Sequence, residues 1–359
     1  MTNKRVLLLD ASGASYPIRV TLERMGYSVF SVGANPNQFQ ARLAGTHFLA
    51  DYRDLNALSK IVKETKCDFV VPGCTDVSFK SYTSLDESLQ RLDQETIRRL
   101  NKYLNKSALS TTLERLSLPS LSVSKEDVLS GALGGAVAIK PADAYSGRGI
   151  EIHEVSHLTE GRLNTALSKA ADQSTDGRAL IERYLEADLF SMSLFSDGSI
   201  MLVSPVLSEQ VNADHRVVSS RLATRDVMNQ KSVKQLIGSI QDDLGSKPWF
   251  LHVQFLMDSE SDGAYIIDCA ARCPGDYYGV LVEMVSGFPY VGNYACVFSG
   301  ELLSDKHMSD FDYNVVRKTF HGFGALYGAG IDCLSNQMLA FYPDLDWSGD
   351  PIARVGVGF

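Results

Sequence analysis

The sequence predicts an α/β protein, α+β overall: a doubly wound parallel-sheet domain, then a small α/β linker subdomain, then a domain built on an antiparallel sheet. Three observations predict it. Over the first hundred residues short apolar runs alternate with amphipathic stretches, the pattern of buried parallel strands separated by helices. Beyond residue 178 strand-like runs dominate, two of them joined by Asp197-Gly198, a strong hairpin signal. At 359 residues the chain also exceeds the roughly 250–300 residues that one core supports. The expected units are 1–100, 101–185, 186–310 and a C-terminal extension of short strands and loops over 311–359.

In chain order, Arg5 to Leu9, Tyr27 to Val32 and Asp68 to Val71 read as buried parallel strands. Pro17 can open a helix with Ile18, Leu22 and Met25 on one side, and Gly26 stops it. The intervening Asp10 to Ser15 loop lies where doubly wound sheets bind ligands, and it reads either as a plain turn or as a substrate-contacting loop. Its lone Gly13 does not satisfy the G-x-G-x-x-G dinucleotide fingerprint. A helix over 107–116, the Leu118-Pro119 break and a short strand over 120–123 read as the linker into the second unit. There follow strands over 136–140 and 149–153, a helix over 156–171, and strands over 178–184, 189–196 and 199–206. A helix over 225–245 precedes strands over 249–257 and 264–269.

Composition narrows the function. The chain is 45% hydrophobic and 21% charged, ordinary for a globular protein, and holds no apolar run of the ~18 residues that a membrane span needs. A net charge of -9 argues against general nucleic-acid binding, which needs basic surface. Six cysteines, at 67, 74, 269, 273, 296 and 333, show no C-x-x-C spacing. Reduced thiols in a cytoplasmic protein are the expectation, since no export signal is evident. His153 and His157 straddle a strand end and a helix start, so zinc is not expected there.

Three stretches carry chemistry. In Val137-Ala-Ile-Lys140, followed by a loop through Ser146, Gly147, Arg148 and Gly149, a strand ends at a lysine and a small-residue loop whose backbone N–H groups can approach phosphate oxygens. Ordinary turn chemistry is the plain alternative, and no Walker G-x-x-x-x-G-K-[ST] string occurs. Ala179-Leu-Ile-Glu182-Arg-Tyr184-Leu185-Glu186-Ala-Asp188 is an apolar strand tipped with acids, suited to an adenine edge and ribose hydroxyls or simply solvated. In the third, Gln254 and Asp268 on neighbouring strands can present oxygens to Mg²⁺ while Arg272 meets a phosphoryl group; a structural Asp-Arg pair is the alternative.

These stretches, in this order behind a doubly wound domain, resemble the ATP-grasp superfamily, in particular its carbamoyl-phosphate-synthetase-like and amino-acid-ligase branches. The resemblance covers Arg5 to Gly300, and Asn105-Lys106-Ser107 matches the lysine-containing helix start of that family. It implies an ATP-grasp architecture with ATP held between the last two domains, and a soluble, ADP-forming ligase that activates a carboxylate as an acylphosphate and joins it to an amine. Lys106 and Lys140 would contact ATP phosphates, with Ser146, Gly147, Arg148 and Gly149 as the phosphate lid. Glu182, Tyr184 and Leu185 would surround adenine, with Asp188 or Glu186 at the ribose. Gln254 and Asp268 would hold Mg²⁺ or Mn²⁺, and Lys140, Arg148 and Arg272 are the catalytic candidates. Two departures stand out: the metal-binding acid is an aspartate, and Ala270 stands where a second ligand usually follows it.

For the substrates, Thr75 and Asp76 follow the third strand at its carboxyl end. Glu209, His215 and Arg221 lie in a polar stretch, with His215 equally readable as a solvated loop residue. Gly275 and Asp276 adjoin Arg272. The expected partners are a small-molecule carboxylate and an amine, with no nucleic acid and no membrane, in a homodimer. A bicarbonate-activating carboxylase of the same fold and a non-catalytic ATP-binding module are the rival readings.

Overall fold

The structure is a computed structural model that describes residues 4–306 apart from 44, 144–148, 214 and 259–261, together with the backbone of two short strands at 316–319 and 355–358. Within these residues the chain forms three sheets. β1 (Arg5–Leu9), β2 (Ser28–Gly33), β3 (His47–Leu49) and β4 (Phe69–Pro72) make a parallel sheet in the order β3-β2-β1-β4. Val6 through Leu9 are fully buried, which is why the strand reads as a continuous apolar run rather than an alternating one. α1 (Tyr16–Arg24) carries Pro17 in its first turn, where no N–H is needed. α2 (Leu55–Thr65) is capped by Asp54, and α3 (Asp76–Thr83) by Thr75.

α4 (Gln94–Leu104) and α5 (Lys106–Arg115) come next, and the division expected at residue 100 falls inside α4. Their polar side chains converge on Asp243: Tyr103 Oη donates to Oδ2 at 2.8 Å and Arg115 Nη2 to Oδ1 at 2.6 Å. This contact ties both helices to the helix over Lys231–Leu244.

The small lobe holds α6 (Lys125–Leu129), β5 (Ala136–Pro141), β6 (Glu151–Glu154), α7 (Glu160–Ala171) and β7 (Ala179–Arg183), with an antiparallel sheet in the order β6-β5-β7. Val137, Ile139, Leu163 and Ile181 form a core of their own, separate from the main one. The strand expected over 120–123 is reduced to edge contacts with β7, where Val123 N donates to the Ile181 carbonyl and Arg183 N to that of Leu121.

The large sheet contains β8 (Asp188–Asp197), β9 (Met201–Val203), β10 (Leu207–Val211), β11 (Val217–Leu222), β12 (Pro248–Asp258), β13 (Gly263–Ala270), β14 (Val316–Thr319) and β15 (Val355–Gly358). Its order is β13-β12-β8-β10-β11-β14-β15, with β9 paired to β8 through the Asp197-Gly198 hairpin. β9 stops short of the expected residue 206 because Pro205 offers no N–H to a ladder. The helix expected over 225–245 is two, α8 (Arg225–Asn229) and α9 (Lys231–Leu244), separated at Gln230, whose ψ of 137° is extended. The tail between β14 and β15 lies outside the described residues.

α10 (Tyr278–Ser286) and α11 (Tyr290–Ser299) close the core. α11 lies between the N-terminal and large sheets: Tyr294 Oη donates to the Pro72 carbonyl at 2.9 Å, and its ring meets Phe250 edge-on at 4.9 Å. One hydrophobic cluster therefore spans both sheets, holding the ends of β4 and β13 in fixed relation while the small lobe packs by itself. Among the described residues no helix is long and apolar enough to cross a membrane.

Candidate functional site

Next to the last residue of β5 stands Lys140, whose side chain is only 7% exposed. A buried ammonium needs a partner. It has one in Glu182 on the adjacent β7, with Nζ–Oε2 at 2.5 Å. The loop that follows turns at Gly149, where φ is +72° and a Cβ would sit 2.6 Å from Gln173 Oε1 and 2.8 Å from Pro141 Cγ, so a side chain there would displace the loop. Asp143 anchors the other end by accepting from Ser174 Oγ and Thr175 N. Burial works to raise its pKa, but these hydrogen bonds win and hold the carboxyl below its ordinary value. Ser146, Gly147 and Arg148 lie outside the described residues.

β7 then runs towards β8 through Tyr184, exposed at its ring, Leu185, half-buried, and Glu186, exposed. Tyr184 N donates to the Ala136 carbonyl, and its ring meets His215 at 6.5 Å. His215, with φ +57°, lies in the turn between β10 and β11. Side chains alternate along β8, so Asp188 faces away from the surface that Ser191 shares with Gln254, and Leu189 takes the place on that surface.

That surface carries the second cluster. Gln254 on β12 and Asp268 on β13 are directly opposed in register, so both side chains stand on one face. Lys106, at the first turn of α5, brings Nζ to 3.5 Å from Asp268 Oδ1. Ala270 stands opposite His252, whose Nδ1 lies 3.0 Å from Ser193 Oγ, and supplies no ligand atom. Glu209 joins this cluster. It is 6% exposed on the same face as Gln254, whose Nε2 donates to its Oε2 at 2.6 Å, while Ser191 Oγ donates to its Oε1 at 2.9 Å. Arg221 cannot join it: Arg221 pairs with Ser208 and Glu209 with Ser220, so the two point to opposite faces, and Arg221 is exposed.

The third cluster joins the segments that follow β4 and β13. Arg272 Nε donates to Asp76 Oδ1 at 2.9 Å and Nη2 to Oδ2 at 3.4 Å, a pair separated by 196 residues. Burial of the guanidinium works to lower its pKa, and the Asp76 carboxylate more than offsets this and raises it. Thr75 Oγ1 accepts from Ser78 N and lies 3.1 Å from Tyr52 Oη. Beside Arg272, Gly275 opens onto free space at its Cβ position, and Asp276 and Tyr277 both take φ +56°. Two consecutive side chains in the left-handed region cost roughly 1–3 kcal/mol each, strain that persists where the surroundings dictate the turn.

Sequence reasoning missed what holds the Thr75–Asp76 end in place. Asp10, at φ +137° and 1% exposed, accepts from Ser12 N, Ser12 Oγ, Ser15 Oγ and Cys74 N. The carboxylate stitches the loops after β1 and β4 together, two residues from Asp76. Replacing it by Ala takes the acceptor from the Ser12 amide and from the Ser12 and Ser15 hydroxyls, while Cys74 N keeps Ser15 Oγ, so Asp10→Ala is expected to cost about 2–3 kcal/mol in a urea melt. An unchanged melt would mean that water replaces the carboxylate. Cys269 and Cys273 are buried: burial raises the Cys269 thiol well above its ordinary range, and contact with Cys74 and burial do the same for Cys273. Neither is poised as a nucleophile. A cavity of about 660 Å³ between β6 and α7, lined by His153, His157 and Arg162 among others, holds none of the residues above, and no metal-binding cluster of His, Cys, Asp or Glu occurs among the described residues.

No family model matches the chain. Among curated proteins it is similar to formate-dependent phosphoribosylglycinamide formyltransferase of Proteus mirabilis, 23% identical over 276 residues that cover 71% of this chain and 65% of the relative. The enzyme of the same name from Aliivibrio fischeri is 24% identical over 235 residues, covering 59% of this chain and 56% of that one. The matches thus span less than two thirds of these relatives' length. Among solved structures, the biotin carboxylase domain of Hydrogenobacter thermophilus 2-oxoglutarate carboxylase, in complex with MgADP, ADP and bicarbonate, superimposes with a TM-score of 0.70 at 14% identity, covering 88% of this chain and 74% of that one. The N5-carboxyaminoimidazole synthetase of Staphylococcus aureus, complexed with ADP, gives 0.67 at 16% identity, with 95% and 86% covered.

Proposed function

We propose, from the premise that this chain is an ATP-grasp protein by its fold, that it is an ADP-forming ligase which phosphorylates a carboxylate and joins the resulting acyl group to an amine. The observation that carries the reading is the Lys106–Asp268–Gln254 cluster beside Arg272, with the buried Lys140–Glu182 pair in the neighbouring lobe. Phosphoryl transfer asks little covalent chemistry of a protein; it needs cations and positioned donors around the transferred group. ATP would supply the phosphoryl group, and Mg²⁺, or Mn²⁺ in its place, would neutralise charge on the phosphate oxygens.

The residues fit both. Mg²⁺ commonly takes one or two protein oxygens and fills the rest with phosphate and water. Asp268 and Gln254 offer such oxygens, and the absence of a ligand at Ala270 leaves room for water. Lys106 and Lys140 would contact phosphates beside the backbone of Gly149, and Glu182, Tyr184 and Leu185 would border the base, with His215 against the Tyr184 ring. Glu186 remains for the ribose. Arg272, released from Asp76, holds the transferred phosphoryl group, while Thr75, Asp76, Gly275 and Asp276 border the acceptor. No side-chain nucleophile is required.

The relatives' name pairs formate with phosphoribosylglycinamide, and from it we take only the class, a small carboxylate with a glycinamide-type amine. The carboxylase reading gains support from the bicarbonate in the Hydrogenobacter complex, and one experiment separates the two. Incubation with Mg-ATP, hydroxylamine and pools of carboxylates should give a hydroxamate and ADP for at least one carboxylate. ADP release with bicarbonate alone, and no hydroxamate from any carboxylate, would replace the ligase by the carboxylase.

A further inference from the structure

Gln254 is a neutral side chain in a place where the chemistry calls for an oxygen aimed at a cation, and an amide presents an oxygen on one edge and a donor on the other. Which edge faces the site is decided from the same face of the sheet, by β10 on the side of β12 away from β13. Glu209 Oε2 lies 2.6 Å from Gln254 Nε2, and its other oxygen accepts from Ser191 Oγ, itself 3.0 Å from Tyr278 Oη. A carboxylate in such contact can only receive, so the amide nitrogen must face Glu209 and the planar group turns Oε1 to the opposite edge. Gln254 stands directly across from Asp268.

We propose that Glu209 is a positioning residue: it locks the Gln254 amide with its oxygen towards the cation, so that a neutral side chain serves beside Asp268 as a ligand. The inference rests on the ligase reading, which supplies the cation. Without Glu209 the amide can flip and present its NH₂ group to the metal, which repels it. Partners one layer behind a ligand typically change metal affinity by about 10–100-fold.

The test is Mn²⁺ binding to the full chain in the presence of ADP, followed by the electron paramagnetic resonance signal of free Mn²⁺. Glu209→Gln is expected to raise the Mn²⁺ dissociation constant about tenfold. The charge-swapped double variant, Glu209→Gln with Gln254→Glu, is expected to return to the wild-type value or below it, because Gln at 209 can donate to one carboxylate oxygen and leave the other for the cation. In a Gln254→Met background Glu209→Gln should change nothing further, which serves also if the single variant folds poorly. Wild-type Mn²⁺ affinity in Glu209→Gln, a double variant no better than the single, or a further loss in the Gln254→Met background overturns the proposal. ADP that binds neither alone nor with Mn²⁺ to the wild type overturns the ligase reading, and this inference with it.

Discussion

Lys140→Ala is expected to abolish the rise in thermal midpoint that ATP produces and to destabilise the protein by about 3 kcal/mol, because it removes one partner of a buried pair and leaves Glu182 uncompensated. The side chains are 7% and 20% exposed, so water replaces little of what is lost. The two effects separate cleanly. Lys140→Met combined with Glu182→Gln leaves no unpaired charge and should recover most of the stability without recovering nucleotide binding. If the double variant binds ATP normally, the lysine is structural, and the phosphates must be met elsewhere.

Arg272→Lys is expected to lower kcat by about 10²–10³ while the ATP-induced midpoint rise persists, since the guanidinium is assigned to the transferred group and not to nucleotide binding. Lysine keeps the charge but loses the two-pronged geometry that now meets Asp76 through Nε and Nη2. The companion change, Asp76→Asn, weakens the hold of the N-terminal domain on Arg272 and should raise KM for the acceptor more than it lowers kcat. Loss of ATP binding in Arg272→Lys would place the arginine in the nucleotide pocket instead.

Much of the architecture is legible along the chain because it is written locally. The run at Val6–Leu9, the proline and glycine that bracket α1, and the Asp197-Gly198 turn each specify an element from neighbouring residues, and the structure places them within a residue or two. The lysine at the end of β5 and the opposed Gln254 and Asp268 are legible for the same reason, since each sits at a strand position that periodicity predicts.

What stays hidden depends on register and on distant pairing. Glu209 and Arg221 look alike as members of a polar stretch, yet the β10–β11 register sends one to the face that carries Gln254 and the other to solvent. Asp188 and Leu189 differ by one position, and strand alternation puts the acid on the face opposite to Ser191 and Gln254. Asp76 and Arg272 meet across 196 residues, through the seating of α11 between two sheets, which no local pattern encodes. Asp10 reads as one loop residue among several, although its carboxylate joins the loops after β1 and β4.

The central claim, that this chain binds ATP with a divalent cation between its small and large lobes, is tested most directly by the thermal midpoint of the wild type and of Asp268→Ala with ATP, with and without Mg²⁺. A ligand bound only by the folded state stabilises it by about 2.7 kcal/mol at a hundredfold excess over Kd. The account predicts a clear rise with Mg-ATP in the wild type and a rise independent of Mg²⁺ in Asp268→Ala. A folded wild type whose midpoint millimolar Mg-ATP leaves unmoved would contradict it.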